Sequence, residues 1–218
     1  MAESIKNYKV VIEGNIGCGK STLLSQFVND QNIQIFTEPI SKWQNMSGIN
    51  LLQLMYENPK RWTFQFQNYV QLTRLQLWLE MDCKKPIISL VERSIHSNRY
   101  VYLEVSKNRE NLTMDEYLIL TQQYDTICSQ FDLKPDMIIY LRSDPVIAYE
   151  RMVSRGRFEE SSAKFNYIKD LNDAYENWLI EKKFPYDVQN VKIIDANLEP
   201  RVVHHQISKI LEEKLSLK

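Results

Sequence analysis

Glycine is scarce in this chain, 5 of 218 residues, where an ordinary globular sequence carries about 7%. Three of the five, Gly14, Gly17 and Gly19, fall within six residues. Cysteine is also sparse: Cys18, Cys83 and Cys128 form no CxxC pair and no even disulfide framework, which favours a reducing compartment. No zinc spacing exists among the cysteines and the three histidines. No run of about 18 apolar residues occurs, so no membrane span is expected. The first six residues carry neither an apolar signal core nor an Arg-rich, acid-free presequence, and a cytoplasmic protein is the expectation. Basic excess is missing as well. Lys plus Arg number 27 against 28 Asp plus Glu, which argues against a general nucleic-acid coat or a polybasic membrane binder.

What is present is ordinary globular material, with 44% hydrophobic and 25% charged residues. At roughly 150 residues per domain, the length suits one large domain over residues 1–218. Short apolar runs at 8–13, 33–37, 86–91, 136–141 and 191–195 read as strands. Helical patterns fill 20–27, 59–82, 93–107, 113–131, 144–155, 164–183 and 199–215, with Pro86, Pro135, Pro145 and Pro200 at element edges. Strands separated by helices predict an α/β fold with a five-stranded parallel sheet covered on both faces. Ligands are then expected at the carboxyl ends of the strands.

The glycine cluster explains itself. Gly14-Asn15-Ile16-Gly17-Cys18-Gly19-Lys20-Ser21 fits GxxxxGK[ST] between a strand and a helix. Glycines let successive backbone N–H groups turn inward on phosphate oxygens, Lys20 adds a mobile charge, and the Ser21 hydroxyl can ligate Mg²⁺. A chance match of this string arises on the order of 1% of the time in such a chain. The motif predicts a nucleoside triphosphate site.

The guanine-reading NKxD and the DxxG switch of GTPases are both absent. Strand 86–91 runs into Glu92-Arg93-Ser94, where a carboxylate beside the phosphate loop can serve magnesium; the competing role is a cap on the next helix. Arg151 and Arg155 lie four apart on one helical face, with Arg157, Glu159 and Glu160 following Gly156. Such arginines suit a lid, at about 155–163, that closes on a triphosphate, although alone they would equally suit a salt-bridged helix end. Glu38 ends the second strand and can act as general base on an acceptor hydroxyl, with Arg93 orienting it; a surface turn acid fits the local sequence equally well. Between 43 and 78, Trp43, Tyr56, Trp62, Phe64, Phe66, Tyr69 and Trp78 interleave with Gln65, Gln67, Asn68, Gln71 and Arg74. Most of these aromatics belong to the core, and some can sandwich a base. His96 reads as packing, and His204-His205 as surface.

Taken together, IEGNIGCGKST (12–22), EPISKW (38–43), NLLQLMYENPKRW (50–62), FQNYVQLTR (66–74), ERSIHSNRY (92–100), IIYLRSDP (138–145) and YERMVSRGRFEE (149–160) resemble the deoxynucleoside kinase family. The resemblance implies ATP-dependent phosphoryl transfer to a deoxynucleoside 5′-hydroxyl, with Mg²⁺, in a homodimer joined through long helices. It implies that residues Gly14 to Thr22, and the strand end Asp195-Ala196-Asn197, bind ATP. Glu38 would be the base with Arg93 beside it, and Ser21 and Glu92 would attend the metal. Tyr56 and Glu160 would hold the sugar 3′-hydroxyl. Gln67 would pair with the base edge, between Trp43 and Phe66, with Met55, Val70 and Tyr102 as wall. Lys20, Arg151, Arg155 and Arg157 would grip donor phosphates.

Thymidine-accepting relatives place small or apolar groups where this chain has Arg74 and Asn98, whereas deoxycytidine and deoxyguanosine enzymes place Arg and Asp. Arg74 with Asn98 departs from both. It leans toward deoxycytidine or a purine deoxynucleoside, with thymidine poorer. Two rivals remain at this stage. A thymidylate-type monophosphate kinase would want a cation where Glu38 stands. A catalytically silent nucleotide-binding protein would have lost Lys20, Glu38, Glu92 or the lid arginines.

Overall fold

The computed structural model describes residues 7–81, 88–184 and 190–216. Five strands, β1 (Tyr8–Gly14), β2 (Ile33–Phe36), β3 (Ile88–Glu92), β4 (Met137–Arg142) and β5 (Val191–Asp195), form one all-parallel sheet in the order β2-β3-β1-β4-β5. The expected fold class is therefore the observed one. Residues 86–87 of the third expected strand lie outside the described residues, as does Cys83.

The helices are α1 (Lys20–Ser25), α2 (Ile40–Gln44), α3 (Leu51–Glu57), α4 (Pro59–Glu80), α5 (Ile95–Ser97), α6 (Glu104–Asn108), α7 (Met114–Gln130), α8 (Pro145–Arg155), α9 (Phe165–Tyr175) and α10 (Pro200–Ser216). Local chemistry sets many of their starts. Asn58 accepts from Arg61 N–H ahead of Pro59, Asp144 accepts from Val146 N–H ahead of Pro145, and Thr113 with Glu116 forms a reciprocal capping box. Gly156 closes α8 in the left-handed conformation at φ 65°.

Three departures from the sequence reading matter. Helices α2 and α3 were not expected. The helix expected at 93–107 begins only at Ile95, because Arg93 takes φ 60° and Ser94 is extended. That helix also passes through a π-helical stretch, Asn98–Leu103, and a second one, Glu176–Ile180, follows α9.

Strand alternation divides the core. Val10 and Ile12 face Leu23, Leu24 and Phe27 and the α10 residues Val203, Ile207 and Leu211. Val11 faces the larger cluster that includes Trp78, Val101, Tyr124, Leu171 and Tyr175. Each fully buried side chain of this size contributes roughly 1.5–3 kcal/mol. A separate cluster of Trp43, Leu51, Leu52, Met55, Phe66 and Val70 joins α2 and α3 to α4 beyond the carboxyl ends of β2 and β3. That satellite cluster forms one wall of the site.

Candidate active site

Central strand β1 delivers the phosphate loop. Its conformation requires glycine at position 17, where φ is 80° and an added Cβ would lie 2.0 Å from the Ala148 carbonyl oxygen. Asn15 pins the loop from behind: its Nδ2 donates to Ile168 O at 2.8 Å, and its Oδ1 accepts from Ile16 N–H at 2.8 Å. Lys20 is buried, and its Nζ donates to the loop's own carbonyls, Gly14 O at 3.1 Å and Asn15 O at 2.7 Å. Burial lowers the Lys20 ammonium from its ordinary value, with the Arg93 charge adding to the effect.

Two carboxylates meet the loop from neighbouring strands. Glu92, the last residue of β3, accepts from the Ser21 hydroxyl at 2.9 Å. It does not cap the next helix, whose cap position is Ser94. Glu38 follows β2 and is held by two arginines: Arg74 Nη2 donates to Oε1 and Arg93 Nη1 donates to Oε2, each at 2.6 Å. Burial alone would raise the Glu38 carboxyl, but Arg93, Arg74 and Lys20 hold it down at about 2. Glu38 is thus a buried, ion-paired carboxylate and not a surface turn acid.

A cavity of about 380 Å³ runs from the phosphate loop to the aromatic cluster. Its loop end is lined by Ile16, Gly17, Gly19, Lys20, Ser21 and Thr22, with Arg151, Arg155 and Arg157 opposite. Glu38, Glu92 and Arg93 stand at the middle. Trp43, Met55, Tyr56, Phe66, Gln67, Val70, Arg74 and Tyr102 line the far end, and Glu160 sits with Arg155 and Arg157. Trp43 and Phe66 meet edge to face with centroids 5.7 Å apart, and Trp43 Nε1 donates to Thr73 Oγ1 at 2.9 Å. Burial raises the Tyr56 and Tyr102 hydroxyls above their ordinary range, so both are neutral donors.

Some expected residues stand elsewhere. Asn98 is fully buried and does not line this cavity; its Nδ2 donates to Gln67 Oε1 at 2.6 Å. Asn98 and Arg74, paired in the sequence reading, therefore contact different partners. Gly14, Asn15, Asp195 and Asn197 also lie off the main cavity. Asp195 Oδ1 accepts from Asn197 N–H at 2.9 Å, shaping that turn. Cys18 and Ala196 line a smaller cavity of about 130 Å³, together with Leu198, Pro200 and Val203. Arg151 Nη1 donates to Ala196 O at 2.7 Å, at the border of the two cavities.

The segment expected to form a lid is tied on both sides. Glu160 accepts from Arg155 and Arg157 at 2.6 and 2.7 Å, while Glu159 accepts from Gln44 and Asn50 at 3.0 and 2.9 Å. Sequence reasoning missed Ile40, Leu52 and Tyr167 in the cavity wall. It also missed Glu13 and Tyr175 behind it; Glu13 is fully buried and takes both the N–H and the hydroxyl of Ser94. Buried His96 bridges the Tyr124 hydroxyl and Leu133 O, a packing role as expected. Among the described residues, no cluster of three or more His, Cys, Asp or Glu could hold a metal ion.

The sequence profile described as deoxynucleoside kinase matches residues 10–214. The chain belongs to the deoxynucleoside kinase family. It is 34% identical to mitochondrial thymidine kinase 2 of Homo sapiens over 96% of this chain and 76% of that protein. It is 32% identical to deoxycytidine kinase of Mus musculus, over 99% and 94%. Against mitochondrial deoxyguanosine kinase of Xenopus laevis the figures are 31%, 87% and 80%. As a deoxynucleoside kinase, the chain is a phosphotransferase that uses ATP as phosphate donor. The monophosphate-kinase alternative falls away with that assignment.

Proposed function

We propose that a deoxynucleoside binds at the aromatic end of the cavity with its 5′-hydroxyl against Glu38, and that the γ-phosphoryl of ATP approaches from the phosphate loop. The observation that carries this reading is the position of Glu38, a paired carboxylate where the two ends of one cavity meet. The 5′-oxygen attacks phosphorus, its proton passes to a Glu38 oxygen, and the bond to the ADP oxygen breaks. A carboxylate held at about 2 is a weak base, which suffices because phosphoryl transfer passes through a loose transition state with late proton loss.

Lys20 and the lid arginines meet the donor phosphates, at the cost of their present bonds to loop carbonyls, Ala196 O and Glu160. The smaller cavity, between Cys18 and Ala196, takes the donor base, with Asp195 and Asn197 fixing the turn beside it. Ser21 and Glu92 offer two hard oxygens to one point beside the loop, which fits Mg²⁺. When bound, the ion supplies neutralisation of phosphate charge. Tyr56 and Glu160 face the sugar, and Trp43 and Phe66 flank the base.

Gln67 presents its amide to the base edge, braced by Asn98, and Arg74 closes the far wall. The bulk of Arg74 supports deoxycytidine or a purine deoxynucleoside over thymidine. The relatives above carry three different base names, so they do not choose among them. A homodimer is supported by exposed apolar side chains on two long helices: Leu72 and Leu79 of α4, and Met114, Leu118 and Ile119 of α7. No nucleic-acid partner is proposed for this charge-balanced chain, and no helix among the described residues is long and apolar enough to cross a membrane. The cysteine usage supports a cytoplasmic enzyme.

The test is steady-state ADP release with MgATP and each of four deoxynucleosides, beside Glu38→Gln. One or more nucleosides should stimulate turnover, and the variant should lose about 100-fold or more in kcat. Thymidine giving the highest kcat/KM would overturn the Arg74 argument; an active Glu38→Gln would overturn the base assignment.

A further inference from the structure

Behind the cavity, six residues close a ring of hydrogen bonds, five through side chains and Ser94 through its carbonyl as well. Glu38 Oε2 accepts from Arg93 Nη1 at 2.6 Å, and Arg93 Nε donates to the Tyr175 hydroxyl at 3.2 Å. That hydroxyl donates to Glu13 Oε2 at 3.2 Å. Glu13 Oε1 accepts from Ser94 N–H at 2.9 Å and from Ser94 Oγ–H at 2.7 Å. The Ser94 carbonyl accepts from Arg74 Nη1, and Arg74 Nη2 returns to Glu38 Oε1 at 2.6 Å. Glu13 thus reaches both guanidiniums only through Tyr175 and Ser94, and of the two acids and two arginines it is the one that does not line the cavity.

We infer that Glu13 is a positioning residue for phosphoryl transfer, acting on Glu38 through Arg93 and Arg74. This rests on the reading of Glu38 as the base.

Two features make Glu13 more than a satisfied core acid. First, Arg93 is a non-glycine residue at φ 60°, a conformation that costs on the order of 1–2 kcal/mol and persists only where its surroundings impose it. Glu13 grips the very next residue by both backbone and side chain, and the Arg93 N–H is itself bonded to Ile12 O at 3.0 Å. The bend that turns Arg93 toward Glu38 is therefore held from β1.

Second, Glu13 takes the Tyr175 hydroxyl proton at Oε2 even though burial raises its own carboxyl, so the hydrogen-bond geometry sets the polarity of Tyr175. The hydroxyl proton points to Glu13, which leaves an oxygen lone pair for Arg93 Nε–H. An amide at position 13 would turn a donor toward that hydroxyl, reverse it, and aim its proton at the guanidinium. Arg93 would lose its third anchor, keeping Glu38 and Gly14 O.

The experiment is Glu13→Gln by steady-state kinetics with MgATP and the best deoxynucleoside, alone and in the Glu38→Gln background. Tyr175→Phe is run in parallel, because it removes the link without placing a new polar group in the core. Glu13→Gln should lower kcat about 10-fold or more with nucleoside KM within about 3-fold, since only transition-state alignment is lost. Tyr175→Phe should lower kcat in the same sense. In the Glu38→Gln background, Glu13→Gln should cost less than about 2-fold, because residues acting through one group are non-additive. A wild-type kcat for both single variants would overturn the inference while leaving Glu38 in place. A full additional loss in the Glu38→Gln background would assign Glu13 a structural role only. If Glu38→Gln itself turns over normally, the underlying reading fails, which is a separate result.

Discussion

The Ser21 hydroxyl and the Glu92 carboxylate meet at 2.9 Å, joining the first turn of α1 to the end of β3. Two chain segments with no sequence proximity thereby converge on one point beside the phosphate loop. Ser21→Ala and Glu92→Gln should each raise the Mg²⁺ concentration for half-maximal activity about 10-fold, the usual scale for loss of one metal-site partner. A magnesium titration of ADP release at saturating nucleoside reads this directly. An unchanged midpoint in both variants would remove these residues from the metal site.

Two glycines of the loop should respond differently to the same substitution. Gly17→Ala drives a Cβ to 2.0 Å from the Ala148 carbonyl, where backbone must move, and ATP binding should be abolished. Gly19→Ala meets no atom within 4 Å and carries only the cost of φ 99°, roughly 1–2 kcal/mol. Calorimetric ATP titration and melting curves of both variants separate a clash from a strained dihedral. Equal loss of binding would show that the loop tolerates no Cβ at either place.

His96 predicts an acid-sensitive stability. Burial lowers its imidazole from 6.5 to about 4. Between those values the unfolded chain binds a proton that the folded chain refuses, so stability falls as pH drops through this window. From pH 7 to pH 5 the loss due to His96 is about 2 kcal/mol. Urea unfolding at both pH values should show it, and His96→Gln should remove that share of the slope. An identical slope in the variant would mean the ring is protonated in the fold.

The exposed apolar side chains of α4 and α7 predict a subunit contact. Leu72 and Leu79 are 45% and 47% exposed, while Met114 and Leu118 are 62% and 56% exposed. Leu118→Glu should shift the mass in solution from dimer to monomer, because a buried unpaired carboxylate costs several kcal/mol. Light scattering on the eluted peak decides. A monomeric wild-type chain would refute the proposal.

The phosphate loop was legible because its glycines are required by conformation, so the spacing survives as a pattern in the chain. Glu38, Glu92 and the arginines were legible because they punctuate strand and helix ends, where charge interrupts apolar runs. Glu13 was not. Both faces of β1 are buried, the run Val10-Val11-Ile12 shows no alternation, and an acid that closes the strand 8–13 gives no sign of which side chains it meets. Helices α2 and α3 escaped notice because they are 5 and 7 residues long. Their stability comes from docking Trp43, Leu51 and Met55 on α4 instead of from local periodicity. Asn98 was placed beside Arg74 by analogy of position, but the π-helical turn in which it sits turns its amide to Gln67.

The sheet order also has a consequence for the chain as it is being made. Strand β1 lies at the centre of the sheet, and its partners are distant in sequence: Val10 pairs with Leu90 on one side and with Met137 on the other. The phosphate loop hangs from the end of that strand, with Asn15 tied to Ile168 O. A ribosome-bound fragment that stops short of β4 and α9 has the whole GxxxxGK[ST] motif but lacks the β4 pairing of its strand and the Ile168 carbonyl that holds Asn15. Nucleotide affinity should therefore arise late and abruptly during synthesis, and truncated products should not compete with the finished enzyme for ATP.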